Sequence, residues 1–167
     1  MLGGARSGKS VYAERIASYL GGDRVLYVAT ADTSADPELA MRVREHQERR
    51  PATWGTVLAS GKLSEALDGD EGWGAILVDS LTLWMSATVF AGDSGEQILG
   101  SFDEFLDVAE GSPTPLVLVS DEVGFGVVPE SAAGRRFRDL LGLVNQRAAS
   151  VAAEVHLCVA GLGIRIK

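Results

Sequence analysis

Near its start, the sequence carries a glycine-rich stretch whose residue types suit the binding of phosphate groups. Gly3 and Gly8 enclose four residues and are followed at once by Lys9 and Ser10. Glycines let the backbone curl so that successive N–H groups face an anion, and a helix beginning near Lys9 adds its positive N-terminal end. Lys9 supplies a cation for the β- and γ-phosphates of a nucleotide, and the Ser10 hydroxyl can ligate Mg²⁺. The pattern predicts a nucleotide-phosphate loop; the alternative is a glycine-rich turn that enters a helix by chance.

Acidic residues follow two apolar runs that are typical of buried strands. Asp79 comes after four apolar residues, and a carboxylate beside a phosphate loop holds Mg²⁺ directly or through water. Asp121 and Glu122 follow another such run and would emerge at the same carboxyl edge of a parallel sheet, where ligands bind. The alternatives are a turn cap at Asp79 and a solvated acidic turn at the other two positions.

A histidine lies within a basic helical stripe. Arg42 precedes His46 by four residues, and Arg49 and Arg50 follow it by three and four, so all four share one helix face. Clustered cations lower the pKa of a histidine, which leaves a neutral, nucleophilic ring at pH 7. Apolar residues share the stripe, however, and the residues alone favour a packed histidine at the core boundary. The other histidine, His156, sits in an apolar strand and is predicted to be structural.

The elements that must position these residues alternate between strands and helices. Continuous β-branched runs are typical of strands covered on both faces, and they alternate with segments of helical period. This predicts an α/β fold with a mainly parallel sheet and one domain over 1–167. The predicted strands span 24–30, 53–58, 75–79, 116–120 and 155–160, and the predicted helices span 9–20, 37–50, 81–90, 96–110 and 132–153.

The phosphate loop follows very little sequence. Only Met1 and Leu2 precede Gly3, whereas such a loop normally hangs from a strand, and five strand residues do not fit. We expect further apolar residues upstream in the native chain. Otherwise the first strand is a stub, or another segment fills its place in the sheet.

Composition narrows the class of protein. Of 167 residues, 46% are hydrophobic and 23% charged, and the formal net charge of −8 disfavours nucleic acid as a partner. The single cysteine, Cys158, excludes a disulfide within the chain and fits a reducing compartment. No run approaches the roughly 18 apolar residues of a membrane span, and no signal-peptide pattern is present. We therefore expect a cytoplasmic protein without a transmembrane segment.

Several longer motifs together resemble one known family. The sequence resembles the bifunctional adenosylcobinamide kinases / adenosylcobinamide-phosphate guanylyltransferases of cobalamin synthesis over nearly its whole length and in the same order. The segments that carry the resemblance are "GGARSGKS" (3–10), "YVAT" (27–30), "RVREHQERRPATW" (42–54), "DSLTLW" (79–84), "SDEVGFGVVP" (120–129) and the helix 137–146.

The resemblance implies a fold and a two-step activity. The fold is a three-layer, RecA-like P-loop NTPase with a mostly parallel sheet, here with its first strand truncated or missing. ATP or GTP first phosphorylates adenosylcobinamide; GTP then guanylylates a histidine, and the GMP passes to adenosylcobinamide phosphate, giving adenosylcobinamide-GDP. His46 occupies the position of that nucleophile, which reverses the preference for a packed histidine. Similar members form homotrimers with sites near subunit boundaries.

The resemblance also assigns site residues. Lys9 and His46 would be catalytic, and Ser10 and Asp79 would hold Mg²⁺. The nucleotide would contact Gly3, Gly4, Ala5, Arg6, Ser7, Gly8, Lys9, Ser10, Ala31, Asp32, Thr33, Gln47, Glu48, Arg49, Arg50 and Asp79.

The chain departs from the family pattern at a few positions. An apolar Leu58 or Ala59 stands where a glutamate is usual, and Ala87 and Asp121 each replace an asparagine. The departures leave room for weakened activity, so two other functions stay open: a P-loop small-metabolite kinase without guanylyl transfer, and a non-catalytic GTP-binding regulatory subunit. The corrinoid pocket is not evident. Trp54, Trp84 and Phe125 are candidates to line it, although base rates place such side chains in the core.

Overall fold

The computed structural model describes residues 1–30, 41, 50–59, 61–67 and 72–167. The predicted helix over 37–50 falls almost entirely outside these residues, and so does His46. The same holds for the predicted nucleotide contacts at 31–33 and 47–49.

Seven described strands form one sheet in the order β3-β2-β4-β5-β1-β6-β7. Neighbouring strands run parallel except β6 and β7, which form an antiparallel pair. The strands are β1 (Leu2–Gly3), β2 (Val25–Ala29), β3 (Gly55–Leu58), β4 (Ala75–Asp79), β5 (Leu116–Asp121), β6 (His156–Val159) and β7 (Leu162–Arg165).

Helices cover both faces of this sheet. The described helices are α1 (Lys9–Gly21), α2 (Leu81–Ala91), α3 (Gly95–Gly111) and α4 (Ala132–Val151), with a 3₁₀ turn at Leu63–Leu67. Serine side chains cap the N-termini of α2, α3 and α4, and in α3 Gln97 completes a capping box. None of the described helices combines the length and apolarity that a membrane crossing requires.

Alternate residues of each central strand pack into two separate hydrophobic cores, one on each face of the sheet. Ile76 and Val78 of β4 face one side, where they pack with large side chains of α2, α3 and α4. Leu77 faces the other side and packs in a second cluster with α1 residues. A period of two along each strand produces this division. The result is a three-layer α/β fold, as predicted.

The strand β1 consists of Leu2 and Gly3, and the expectation of further apolar residues upstream in the native chain stays a prediction. Leu2 pairs with Ser120 of β5 and with Leu157 of β6, so β1 sits between these strands in parallel register. A cavity of about 620 Å³, lined by β5, β6 and the ends of α1 and α4, lies next to Met1. The burial of the Met1 amino group lowers its pKa to about 6.

All five predicted strands and four of the predicted helices are confirmed, with ends that differ by at most two residues. The strand β7 was missed. It follows a tight turn at Ala160 and Gly161, both with positive φ. Alanine rarely adopts that conformation, so the turn carried no clear hairpin signal.

Candidate nucleotide-binding and phosphoryl-transfer site

The loop between β1 and α1 is tight, and two of its glycines are sterically required. Gly8 has a φ of 89°, and a Cβ there would lie 2.8 Å from the Gly161 Cα. A Cβ on Gly3 would lie 2.7 Å from the Cys158 carbonyl oxygen. The loop is closed by a hydrogen bond from the Ser7 N–H to the Gly4 carbonyl, at 3.2 Å. The predicted phosphate loop thus has the compact backbone that its glycines indicated.

The hairpin of β6 and β7 holds this loop from the side. The Gly161 N–H donates to the Ser7 carbonyl at 2.8 Å. The Tyr12 hydroxyl, from the first turn of α1, lies 3.1 Å from Nδ1 of His156. His156 is buried, and its Nε2 lies 2.9 Å from a Glu154 carboxylate oxygen. These contacts agree with a structural role for His156.

The N-terminus of α1 differs from the other helix starts. Its N-cap residue, Gly8, makes no side-chain capping hydrogen bond, whereas serines cap α2, α3 and α4. The first N–H groups of a helix need acceptors from outside it, and an anion can supply them. Lys9 and Ser10 open this helix, so their side chains flank the place where a phosphate would bind.

Strand parity brings three polar side chains to the same face. Tyr27, Asp79 and Asp121 lie an even number of residues from strand neighbours that pack on the α1 side, such as Leu77 and Val119. Asp79 and Asp121 are the last residues of β4 and β5, and Tyr27 lies two residues before the end of β2. They therefore converge on the edge at which α1 begins, as the argument from parallel strands predicted for the two carboxylates.

Asp121 forms an ion pair with the lysine of the loop. The Lys9 Nζ lies 2.5 Å from Oδ1 of Asp121, and only 13% and 25% of the two side chains are exposed. The same Nζ lies 3.3 Å from the Gly4 carbonyl oxygen. Asp121 therefore belongs to the candidate site and is not a solvated turn residue. An asparagine at this position could not form the ion pair. The carboxylate of Glu122 instead accepts a hydrogen bond from the Gly124 N–H at 2.5 Å.

Asp79 has a neutral neighbour. The buried phenol of Tyr27 lies against the Asp79 carboxylate, and the Arg50 guanidinium carbon is 3.5 Å from the centroid of the Tyr27 ring. Burial raises the pKa of Tyr27 well above its usual range; the negative charge and hydrogen bonding of Asp79 raise it further, while Arg50 acts in the opposite direction. Tyr27 is therefore a protonated phenol near neutral pH. Sequence reasoning did not single it out, although its strand parity matches that of Asp79.

A pair of buried hydrogen bonds fixes the strand end that carries Asp79. The Ser80 N–H donates to Oγ1 of Thr30 at 2.9 Å, and the Thr30 hydroxyl donates to the Ser80 carbonyl at 2.7 Å. Both residues are buried. Thr30 directly follows β2, so these bonds tie the ends of β2 and β4 together and hold Asp79 in place.

The donor set suits Mg²⁺ brought in by phosphates. Ser10 and Asp79 offer a hydroxyl and a carboxylate, and Mg²⁺ prefers such oxygen ligands. The described part of the chain contains no cluster of three or more His, Cys, Asp or Glu side chains that could hold a metal. Mg²⁺ in nucleotide sites commonly takes one or two protein ligands, with water and phosphate completing its shell. The residues present fit that arrangement.

The three candidates for a corrinoid pocket separate in the structure. Trp54 and Trp84 are buried and belong to the cores, as base rates indicated. For Phe125 that expectation is wrong, because its side chain is 84% exposed. The segment that carries it follows β5 directly, and the Glu122 N–H donates to the Gly3 carbonyl at 3.0 Å. An exposed aromatic side chain thus lies in a segment anchored to the phosphate loop.

The departures from the motif have different settings. Leu58 ends β3 and is half exposed, while Ala59 is buried and its N–H donates to the Ala29 carbonyl at 2.8 Å. Ala87 is exposed on α2. Of the departures, Asp121 makes the direct contact with the loop lysine.

Comparison with known proteins identifies the family. The family model described as cobinamide kinase / cobinamide phosphate guanyltransferase matches residues 1–166. The chain belongs to this family. A protein of Salmonella typhimurium named bifunctional adenosylcobalamin biosynthesis protein CobU is 37% identical over 182 residues, covering 100% of this chain and 98% of the relative. The protein of the same name from Escherichia coli is 36% identical, with the same coverage. The Pseudomonas aeruginosa protein CobP, with the same descriptive name, is 39% identical and covered over 95% of its length.

Proposed function

We propose that this protein is a bifunctional enzyme of cobalamin synthesis. It phosphorylates adenosylcobinamide with ATP or GTP, and it transfers GMP from GTP to adenosylcobinamide phosphate to give adenosylcobinamide-GDP. The observation that carries the proposal is the match of the whole chain to a family named for both activities. The ion pair of Lys9 with Asp121, and the position of Asp79 at the end of the neighbouring strand β4, support it, since phosphoryl transfer depends on positioning and charge stabilisation.

In the kinase step, a hydroxyl oxygen of adenosylcobinamide attacks the γ-phosphorus of the nucleotide. The bond from that phosphorus to the bridging oxygen breaks, the nucleoside diphosphate leaves, and the hydroxyl proton is released. Lys9 and the loop N–H groups stabilise the charge on the transferring group. Ser10 and Asp79 would hold Mg²⁺, which neutralises phosphate charge when bound.

In the guanylyl step, a ring nitrogen of His46 attacks the α-phosphorus of GTP, and pyrophosphate leaves. A phosphate oxygen of adenosylcobinamide phosphate then attacks the same phosphorus, which forms the diphosphate link and frees the histidine. A covalent intermediate divides one difficult exchange into two displacements. We assign the remaining nucleotide contacts to positions 31–33 and 47–50. Of these, Arg50 is described, and it covers Tyr27 beside Asp79.

The partners follow from the same proposal. Adenosylcobinamide and its phosphate are the acceptors, and the exposed Phe125, in a segment that Glu122 anchors to Gly3, suits contact with a large, partly apolar molecule. The protein is a cytoplasmic homotrimer in this proposal. Exposed apolar residues on the edge strand β7, Leu162 and Ile164, support an association between copies.

Incubation with GTP labelled at the α-phosphate tests the proposal. We expect acid-labile label on the protein, and we expect His46→Ala to abolish that label while ATP-dependent phosphorylation of adenosylcobinamide remains. The retained kinase activity is the internal control for folding. A wild-type protein that phosphorylates its acceptor but never takes up label would be a simple kinase. Tight GTP binding without turnover would indicate a regulatory subunit.

A further inference from the structure

The loop lysine is already bound by an anion of its own chain. Lys9 Nζ lies 2.5 Å from a carboxylate oxygen of Asp121, and both side chains are largely buried. A lysine that binds nucleotide phosphates must direct the same ammonium group at the phosphates. Asp121 thus stands where it can compete with them.

The backbone of Asp121 is held by three contacts. Its N–H donates to Oγ1 of Thr82 at 2.8 Å, and its carbonyl accepts a hydrogen bond from Nδ2 of Asn145 at 3.1 Å. Asp121 also pairs with Gly3 in the ladder between β5 and β1. The backbone of Asp121 is therefore anchored on both sides, next to the first residue of the loop.

We propose that Asp121 competes with the phosphates of the nucleotide for Lys9 and thereby weakens nucleotide binding. When a triphosphate binds, the Lys9 ammonium exchanges the carboxylate for a phosphate oxygen. The carboxylate then remains partly buried beside another anion, without its cation, and that arrangement costs free energy. This inference rests on the phosphate-binding role of Lys9 in the proposed function, and it does not depend on His46 or on the corrinoid acceptor.

A supporting role for Asp121 predicts the opposite change in phosphate affinity. If Asp121 served to hold Lys9 in the orientation that phosphates need, its removal would weaken binding. If it acted only on the acceptor hydroxyl, its removal would change kcat and leave the nucleotide affinity alone. The affinity for phosphate therefore distinguishes competition from either alternative.

The test is titration calorimetry with magnesium tripolyphosphate and, separately, with magnesium GTP. The variants are Asp121→Asn, Lys9→Ala and the double variant. Asp139→Asn is the matched control, because it removes one carboxylate from an exposed ion pair with Arg138. We expect Asp121→Asn to lower the Kd for tripolyphosphate about tenfold, equivalent to about 1.4 kcal/mol. The control should stay within about twofold of the wild type. Lys9→Ala should weaken binding more in the Asp121→Asn background than in the wild type.

An unchanged or higher Kd in Asp121→Asn overturns the inference, provided that its circular dichroism and melting curve match those of a folded protein. Equal effects of Lys9→Ala in the two backgrounds overturn it as well, since competition requires coupling between the residues. Failure of the proposed function would look different. Tighter phosphate binding by Asp121→Asn, in a protein that never takes up guanylyl label, supports the inference and contradicts the transferase.

Discussion

Two carboxylates end neighbouring strands on the α1 side of the sheet, yet their partners differ in charge. Asp79 lies against the neutral phenol of Tyr27, whereas Asp121 forms an ion pair with Lys9. A neutral neighbour leaves the negative charge of Asp79 available for a cation. Asp121, in contrast, neutralises the charge of its cationic neighbour Lys9, so that an incoming phosphate must compete for this lysine. The charge of the partner, more than the position in the sheet, distinguishes the metal-binding role that we propose for Asp79 from the competing role that we propose for Asp121.

The largest effect should come from Asp79→Asn, which removes the available charge and keeps the shape. We expect the rate of adenosylcobinamide phosphorylation to fall roughly 100-fold, because a preorganised charge that acts on the transferring phosphoryl group is lost. The measurement is kcat with γ-labelled ATP over a range of Mg²⁺ concentrations. Asp139→Asn is again the matched control and should retain wild-type activity. Full activity of Asp79→Asn would mean that the Asp79 carboxylate is dispensable for phosphoryl transfer, and the contrast would then have no functional meaning on the Asp79 side.

The glycine loop before α1 and the strand-end positions of both carboxylates could be predicted from sequence, because each depends on a local pattern. A glycine motif before a helix and an acid after an apolar run need no knowledge of distant contacts. That strands end at a common edge follows from their parallel course. The ion pair between Lys9 and Asp121 could not be predicted, because it depends on the pairing of Gly3 with Asp121 across two strands.

Three other features could not be predicted from local sequence patterns, each for a different physical reason. Phe125 was expected in the core because large aromatic side chains are usually buried. Here Gly124 and Gly126 flank it in a segment without regular structure, and it remains exposed. The strand β7 was overlooked because Ala160 occupies a turn position that usually requires glycine or asparagine. Tyr27 was not singled out, because its contact with Asp79 depends on the register between β2 and β4, in which Ala29 pairs with Asp79.

A smaller effect should appear in stability, because different hydrogen bonds hold the backbones that carry the two carboxylates. Thr30→Val removes both hydrogen bonds to Ser80 and leaves the buried Ser80 N–H without a partner, while the Ser80 carbonyl keeps its hydrogen bond from the Trp84 N–H. We expect the free energy of unfolding to fall by about 2 kcal/mol. Thr82→Val removes the one partly buried bond to the Asp121 N–H and should cost about 1 kcal/mol. Urea unfolding of both variants measures the difference. Equal losses would show that the two strand ends are held equally firmly.

The smallest effect tests the neutral phenol itself, through pH. The pKa of Tyr27 is raised in the folded protein, first by burial and then by Asp79. In the unfolded chain a tyrosine loses its proton near pH 10. Stability from the retained proton is therefore complete below pH 10 and is lost as the pH rises above it, because the unfolded state alone releases the proton. Between pH 10 and 11 the free energy of unfolding, measured with urea, should fall by about 1 kcal/mol more in the wild type than in Tyr27→Phe. Tyr19→Phe removes a phenol that is 87% exposed and should keep the wild-type slope. If the unfolding free energy of Tyr27→Phe falls with pH as steeply as that of the wild type, the phenol ionises in the folded protein. Tyr27 would then not be a neutral neighbour of Asp79, and the contrast between the two carboxylates would not hold.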